Sequence, residues 1–394
     1  MAKRPNKASR KPILIVSLVA NLGLLFSFKY LTFFNECFRQ LLDVFGVEHN
    51  LQALHIMLPI GISFYTFQTL SYTIDMYRGK REVENHLGRF ALYVSFFPQL
   101  IAGPIERSTT LLPQFSQIKT FKWTYISAGT RLIIWGLFKK VVIADSLGPI
   151  VDDIFTNYAD YPASTLILGV TLFSFQVYGD FSGYSDIAIG TAKLFGIELM
   201  SNFKFPNFSR NVAEYWQRWH VSLSTWFRHY IYIPLGGSRV SKLKSVRNII
   251  IIFLVSGFWH GANWTYIIWA VIHVLMYFYD KYLPKFSTLI TTQFAVFFAW
   301  IFFRSNSVSE ASYYIKSIFT NEIYISVSNL FQAIGALNMA FLVVNFFVIF
   351  ILYKVEDRFK NYSTYSKVTA LSIILTYICL FFEKDGGQFI YFQF

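Results

Sequence analysis

Long runs without charged residues alternate with short basic or mixed segments along the chain. Eight windows are free of Asp, Glu, Lys and Arg, and a ninth is interrupted only by Arg131. These windows are 13–28, 49–74, 90–105, 123–138, 161–179, 248–279, 286–303, 323–353 and 368–382. About 20 apolar residues, at a rise of about 1.5 Å each, span a hydrocarbon core of about 30 Å. The pattern predicts an all-α, polytopic integral membrane protein with about eight to ten transmembrane helices, plus re-entrant and interfacial helices.

The first window and the longest windows refine this prediction. Residues 13–28 follow five basic residues and resemble a signal peptide, but no small-residue cleavage site follows. We therefore predict a retained first span with its basic start in the cytoplasm. The windows 248–279 and 323–353 each exceed 30 residues. Each is long enough for more than one membrane element.

Composition and charge support a membrane protein. Of the 394 residues, 54% are hydrophobic and 14% are charged, whereas soluble domains carry about 25% charged residues. These values exclude a water-soluble globule and a disordered chain, and they favour one membrane-embedded domain over 1–394. The net charge of +13 falls mainly between apolar runs, where it sets orientation and meets lipid headgroups. No compact basic domain suggests nucleic-acid binding, and Cys37 and Cys379 form neither a disulfide framework nor a metal motif.

The stretch 180–247 interleaves basic residues with many aromatic ones. Such a mixture suits a helix that lies at the headgroup level on the cytoplasmic face or dips partway into the membrane. Within it, DFSGYSD (180–186) places Asp180 and Asp186 around a turn predicted at Gly179 and Gly183. A carboxylate there could orient a histidine, bind a cation or cap the following helix.

His260 is the foremost candidate for chemistry from the residues alone. It lies in SGFWHGANW, within an uncharged window, between Gly257 and Gly261. An ionisable side chain at membrane depth is costly and is by default a functional candidate. The glycines would let the backbone bend or a substrate approach, and Asn263 could donate a hydrogen bond. The alternative is a neutral imidazole that ties two helices together.

The other six histidines give weaker signals. His220, in EYWQRWHVSLSTWFRHY, would have Trp216 and Ser224 one helical turn away, but the residues alone favour a solvated interfacial histidine. His229 suggests an interfacial residue and His273 a packed one. His49, His55 and His86 flank apolar runs and suggest loops or helix ends. The chain has no GxxxxGK[ST], HExxH or GxSxG motif.

Several motifs together carry a resemblance to a known family. They are LPIGISFYTFQTLSYTIDMYRG (58–79), FFPQLIAGPIER (96–107), DFSGYSDIAIG (180–190), NFSRNVAEYWQRWHVSLSTWFRHYIYIPLGGSR (207–239), SGFWHGANWTYIIWA (256–270) and FIYFQF (389–394). In this order the chain resembles the membrane-bound O-acyltransferase (MBOAT) family, and most of all its alginate O-acetyltransferase branch. YIPLGGSR favours the polysaccharide acetylases over the D-alanyl-lipoteichoic acid branch. Members of the family usually begin with further apolar segments, so the chain looks N-terminally short.

The resemblance implies a funnel of helices around a thin core, with His260 and His220 at the positions of the two family histidines. We expect His260 to be the general base and His220 to orient the donor or relay a proton. Candidates for substrate or donor binding are Arg218, Trp219, Trp259, Asn263, Asp180 and Ser182. Arg228 could join Arg218 in pairing with phosphates. No metal is expected.

The resemblance also implies an activity and a location. An acetyl group would pass from a cytoplasmic donor, acetyl-coenzyme A or another acyl thioester, across a bacterial inner membrane. No bound cofactor is expected. The acceptor would be an alginate-like exopolysaccharide or peptidoglycan, reached through an extracytoplasmic SGNH or esterase-like acetyltransferase partner. Three alternatives stay open: a transporter or proton-coupled channel, a D-alanyl-type acyltransferase of the same family, and a structural membrane subunit.

Overall fold

A computed structural model of the chain describes residues 7–52, 54, 56–322, 372, 374–376 and 378–379. Throughout these ranges the chain is helical and has no β-strand, which confirms the all-α prediction. The predicted apolar run 323–353, most of 368–382, His55 and the closing FIYFQF lie outside the described residues. The α-helices are α1 (Lys7–Leu25), α2 (Leu31–Val44), α3 (Ile62–Tyr77), α4 (Leu87–Ser95), α5 (Ser108–Phe115), α6 (Trp123–Leu137), α7 (Ser146–Thr156), α8 (Ala163–Leu194), α9 (Val212–Arg218), α10 (Val221–Phe227), α11 (Lys242–His260), α12 (Trp264–Tyr282), α13 (Leu289–Arg304) and α14 (Val308–Thr320).

Short π-helical turns join several of these helices. Phe26–Tyr30 links α1 to α2, Phe138–Asp145 links α6 to α7, and Arg228–Tyr232 follows α10. A π-helical turn holds more residues than an α-helical turn. The turn Phe26–Tyr30 does not end the helix, so α1 and α2 form one continuous rod.

Two helical segments of the described region are long and apolar enough to cross a membrane: Arg10–Val44 and Lys242–His260. The apolar helix α13 is shorter. The predicted total of eight to ten spans therefore stays a prediction. The 90–105 window does not form one long helix, because its only helical residues belong to the end of the nine-residue helix α4. Helix α4 rises only about 14 Å, and Pro98 lies three residues after its last residue.

The long helix α8 packs against α6 through facing glycines. A Cβ atom on Gly136 would lie 2.5 Å from the carbonyl oxygen of Gly183, and one on Gly129 would lie 2.6 Å from that of Gly190. Glycines seven residues apart on both helices thus let the backbones touch. The turn predicted at DFSGYSD is wrong, because Gly179 and Gly183 lie in the interior of α8 and serve this close packing.

The two acidic residues of DFSGYSD face lysines rather than a histidine. Lys139 Nζ lies 2.6 Å from an Asp186 carboxylate oxygen, and Lys140 Nζ lies 2.7 Å from Asp180 and 2.6 Å from Asp145. Asp180 is buried. Both carboxylates therefore form ion pairs with lysine side chains of the π-helical turn between α6 and α7.

The basic-aromatic stretch 180–247 is divided among several helices. It begins in α8 and continues through the short helices α9 and α10, whose aromatic side chains point inward. The buried ones are Tyr215, Trp219, Trp226, Phe227 and Tyr230. The sequence indicated amphipathic aromatics at an interface, but these rings pack on one another and on α3, α11 and α12. Tertiary packing thus gives these rings an apolar environment inside the protein, and the predicted position of the stretch at the headgroup level stays a prediction.

Candidate active site

His260 is the last residue of α11 and is buried. The window 248–279 divides here into two elements, since α11 ends at His260 and α12 begins at Trp264. Gly261 and Gly257 make this junction possible. A Cβ atom on Gly261 would lie 2.0 Å from the Tyr266 ring, and one on Gly257 would lie 2.4 Å from the Tyr266 carbonyl oxygen. The two glycines thus leave room for the first turn of α12. The sequence predicted that a substrate could approach them closely, and in the structure Tyr266 of α12 does so.

Aromatic rings enclose the His260 imidazole on three sides. Its ring centroid lies 5.0 Å from Trp259, 5.1 Å from Trp269 and 5.3 Å from Phe303, each in an edge-on arrangement. An apolar shell of this kind disfavours the charged form of a histidine. It therefore favours a neutral imidazole, which a general base requires.

His220 lies between α9 and α10 and is fully buried, so a solvated interfacial histidine is ruled out. It does not continue a helix, because its φ of 42° lies in the left-handed region. A residue other than glycine in this region costs free energy, and such residues cluster at functional sites. Its ring centroid lies 4.6 Å from Phe181 and 5.8 Å from Trp259. The backbone conformation at His220 thus directs its imidazole toward Trp259, which also contacts His260.

Asn202 holds this turn in place. Its carbonyl oxygen accepts from the Val221 amide at 2.9 Å, and its side-chain oxygen accepts from the Ser222 amide at 3.3 Å. Its side-chain nitrogen donates to Ser185 Oγ on α8 at 3.1 Å. Asn202 is buried. It connects α8 to the residues that follow His220.

A third buried histidine, His273 of α12, extends the cluster. Its ring centroid lies 4.7 Å from Trp269 and 5.2 Å from Trp216. The three imidazoles thus alternate with two indoles, in the order His220, Trp259, His260, Trp269, His273. We call these five residues the histidine–tryptophan cluster. The expectation that His273 packs inside the protein is confirmed by its burial.

An open cavity of ≈ 420 Å³ lies beyond the C-terminal end of α11. Gly261 and Asn263 form the wall next to His260, and Lys29, Glu36 and Arg304 add charged side chains. Arg304 is held by Asp152, at 2.6 Å between Nη2 and the carboxylate. The cavity is therefore a polar, water-accessible space one residue from the candidate base.

Some of the predicted binding residues join this site and others do not. Trp259 separates His220 from His260. Asn263 lines the cavity, but its side chain also caps α12 by accepting from the Thr265 amide at 3.0 Å and donates to the Asn306 carbonyl at 2.7 Å. It is thus fixed by the backbone around it rather than by His260.

The remaining predicted residues are engaged elsewhere. Trp219 is buried against Tyr215, Phe203 and Trp300. Arg218 pairs with Glu214 of its own helix, with 2.5 Å between Nη2 and the carboxylate. Asp180 binds Lys140, and Ser182 is fully buried one residue after Phe181. Whether any of these residues binds a donor stays a prediction.

Sequence reasoning missed three residues that shape the site. Lys29 bonds to the backbone of His260, Asn202 bonds to the residues that follow His220, and Trp269 is itself a member of the histidine–tryptophan cluster. Lys29 offered a signal, since it is a lysine within the apolar sequence LLFSFKYLTFF. Asn202 and Trp269 offered none, because their contacts depend on how α8, α10 and α11 are placed in space.

Comparison with known proteins places the chain in a family. Residues 84–313 match the membrane-bound O-acyltransferase (MBOAT) family. The probable alginate O-acetylase AlgI of Azotobacter vinelandii is 41% identical over 76% of this chain and 61% of that protein, and that of Pseudomonas aeruginosa is 37% identical over 85% and 66%. The peptidoglycan O-acetyltransferase of Helicobacter pylori is 36% identical over 80% and 66%.

The matched region covers α4 to α13 and the start of α14, and therefore both His220 and His260. The chain spans about two thirds of the length of the relatives it matches. The resemblance drawn from the sequence motifs is confirmed, and with it the membrane character of the protein. The chain belongs to the membrane-bound O-acyltransferase family.

Proposed function

We propose that the chain is an O-acyltransferase that moves an acetyl group from a cytoplasmic thioester to a hydroxyl group on the other side of the membrane, with His260 as general base. The observation that carries this proposal is the position of His260: it is shielded by rings on three sides, yet it adjoins a polar cavity. Such a site can hold a neutral base and still admit a polar acceptor.

The chemical step needs only a base and an attacking hydroxyl group. A His260 ring nitrogen accepts the proton as the hydroxyl oxygen attacks the thioester carbonyl carbon. The new C–O bond forms, the C–S bond breaks, and the proton passes from the imidazolium to the departing thiolate. A positioned base of this kind contributes about 10²- to 10⁴-fold to the rate.

The direction of transfer is supported by the ends of two helices. Arg10 and Lys11 lie near the start of α1, and Lys242 and Lys244 lie at the start of α11. Basic helix ends face the cytoplasm. The C-terminal end of α11, opposite to its basic start, meets the rod of α1 and α2 at Lys29. The cavity beside His260 would then open away from the cytoplasm, toward the acceptor.

We infer the class of acceptor from the names of similar proteins. Proteins named alginate O-acetylase and peptidoglycan O-acetyltransferase are similar over most of this chain, so we propose an extracytoplasmic polysaccharide as the final acceptor. Acetyl-coenzyme A is the proposed donor. An extracytoplasmic acetyltransferase of the SGNH or esterase-like type is the proposed partner, and a multi-pass arrangement in the bacterial inner membrane is the proposed setting.

The test uses inside-out membrane vesicles that contain the full chain and radiolabelled acetyl-coenzyme A on the outside. We expect label to pass to an acceptor inside the vesicles, and His260→Asn to reduce this transfer by about 10²- to 10⁴-fold. The matched control is His86→Asn, which changes an exposed histidine at the start of α4. Asparagine is also a good helix cap, so the control protein should keep wild-type transfer.

Two results would contradict the proposal. Wild-type transfer by a folded His260→Asn protein would remove His260 from the chemistry. Wild-type vesicles that consume no donor, even with an extracytoplasmic transferase added, would favour the transporter or scaffold alternatives.

A further inference from the structure

Lys29 is a charged residue in an apolar helical rod. It lies in the π-helical turn Phe26–Tyr30 between α1 and α2, within the candidate span Arg10–Val44. A charged side chain at membrane depth is costly and usually has a function. π-Helical turns are also frequent at functional sites. Both features call for a physical reason for this lysine.

The ammonium group of Lys29 binds the C-terminal end of α11. Its Nζ donates to the carbonyl oxygens of Trp259 at 2.7 Å and His260 at 3.1 Å, and it lies 3.5 Å from Ser63 Oγ on α3. The last four carbonyls of a helix have no donor within the helix. A cation at that end also interacts favourably with the helix dipole. Lys29 thus satisfies the backbone of the candidate base from another helix.

The neighbouring residues strengthen this connection. Tyr30 stacks on Phe258, with 4.2 Å between ring centroids and 11° between planes. The Lys29 ammonium also lies 5.6 Å from the centroid of the Trp259 ring. Two consecutive residues of the π-helical turn therefore hold the last three residues of α11.

We propose that Lys29 is a positioning residue that fixes the His260 imidazole by holding the end of α11. An ammonium group has three N–H donors, and the three contacts of Lys29 at hydrogen-bonding distance are with protein atoms. Lys29, which also lines the cavity beside His260, therefore holds the backbone of His260 through these contacts. The catalytic consequence rests on the proposed function of His260, because a displacement of about 1 Å at a reacting group can reduce a rate by about 10²-fold.

The test compares the full chain in lipid nanodiscs with three variants at this position. Lys29→Met removes all donors and keeps the length of the side chain, Lys29→Gln keeps two donors without the charge, and Lys29→Arg keeps both charge and donors. The matched control is Lys285→Met, which changes an exposed lysine in the short turn between α12 and α13. Two quantities are measured: amide hydrogen exchange of residues 258–266, and the kcat and donor KM of acetyl transfer.

For Lys29→Met we expect amide exchange in 258–266 to rise about tenfold and kcat to fall about tenfold or more, with donor KM within about twofold of wild type. Lys29→Gln should lie between Lys29→Met and wild type. Lys29→Arg should restore both quantities to within about threefold of wild type, because it supplies the same cation. Lys285→Met should change neither quantity.

Several outcomes would overturn the proposal. Wild-type exchange in Lys29→Met would show that Lys29 does not hold the end of α11. A raised donor KM with wild-type kcat would make Lys29 a binding residue. Faster amide exchange in residues 258–266 with a wild-type kcat would show that the position of the end of α11 does not affect the transfer rate. If the Lys29→Met protein fails to insert into the membrane, the Lys29→Gln protein takes its place. Wild-type amide exchange and wild-type kcat in Lys29→Gln would then overturn the proposal. A wild-type protein without transfer activity would count against the proposed function, while the exchange measurement would still test the Lys29 contact.

Discussion

Two buried regions of this protein surround their ionisable side chains with different kinds of neighbours. Where α6 meets α8, Lys139 contacts Asp186, and backbones touch through facing glycines. In the histidine–tryptophan cluster, each imidazole has indole or phenyl rings as neighbours. The sequence singled out one part of each region: DFSGYSD for its two acidic residues around a predicted turn, and His260 for its position in an uncharged window.

The different neighbours indicate a structural role for the ion pair and a chemical role for the imidazoles. A buried charge that faces an opposite charge at 2.6 Å is neutralised in place and holds two helices together. An imidazole among aromatic rings remains a neutral group that can take up a proton. We therefore assign the α6–α8 contact to stability and the cluster to acyl transfer. The predictions that follow test this assignment.

The largest effect on stability is expected from Asp186→Leu. It leaves Lys139 buried without its carboxylate, and removal of one partner of a buried ion pair costs about 3–5 kcal/mol. The thermal midpoint in detergent should fall accordingly. The double variant Lys139→Met with Asp186→Leu should recover most of this loss, because it removes both charges. An equal loss in the single and double variants would show that the pair contributes nothing.

The next effect is on activity, in His220→Asn. Asparagine tolerates the left-handed backbone conformation better than most residues, so the fold should be kept. Acetyl transfer should fall by about 10²-fold, at the low end of the range for a group that transfers protons. Its thermal midpoint should match that of the wild type. If the midpoint falls as far as in Asp186→Leu, the cluster is structural and the assignment is wrong.

Gly136→Ala tests the backbone contact between α6 and α8. The added methyl group would lie 2.5 Å from the carbonyl oxygen of Gly183. Overpacking of this kind costs about 1–3 kcal/mol, visible as a lower thermal midpoint with turnover per folded molecule unchanged. Gly23→Ala is the matched control, because nothing lies within 4 Å of the position of its added methyl group.

The smallest effect on stability is expected from Asn202→Ala. This substitution tests a residue that both joins two parts of the fold and holds the turn at His220. It removes the side-chain bonds to the Ser222 amide and to Ser185, at a cost of about 1 kcal/mol. Because these bonds also hold the turn at His220, transfer should fall more than the midpoint implies. Ser185→Ala removes only the bond to α8. Equal losses of activity in the two variants would contradict a role of Asn202 in positioning His220.

The sequence singled out His260 as the candidate base, but it did not predict the residues that surround it. His260 was identifiable because an ionisable residue in an uncharged window is rare. DFSGYSD was misread as a turn because glycine and aspartate favour turns locally, whereas here they serve helix packing and ion pairing in α8. His220 gave an ambiguous signal, since basic and aromatic neighbours are equally typical of a lipid interface and of a packed core.

The amino-acid sequence by itself determined the all-α fold class, the membrane character and the family of this protein. These properties depend on hydrophobic runs and ordered motifs, which are local features of the chain. Only the tertiary structure decided that His220 approaches the tryptophan beside His260, that Lys139 and Lys140 meet the carboxylates of α8, and that Lys29 reaches the end of α11. Lys29 and His260 are 231 positions apart in the chain. Such contacts depend on how helices pack against one another, and the pattern within any one helix does not encode which partner its polar residues will meet.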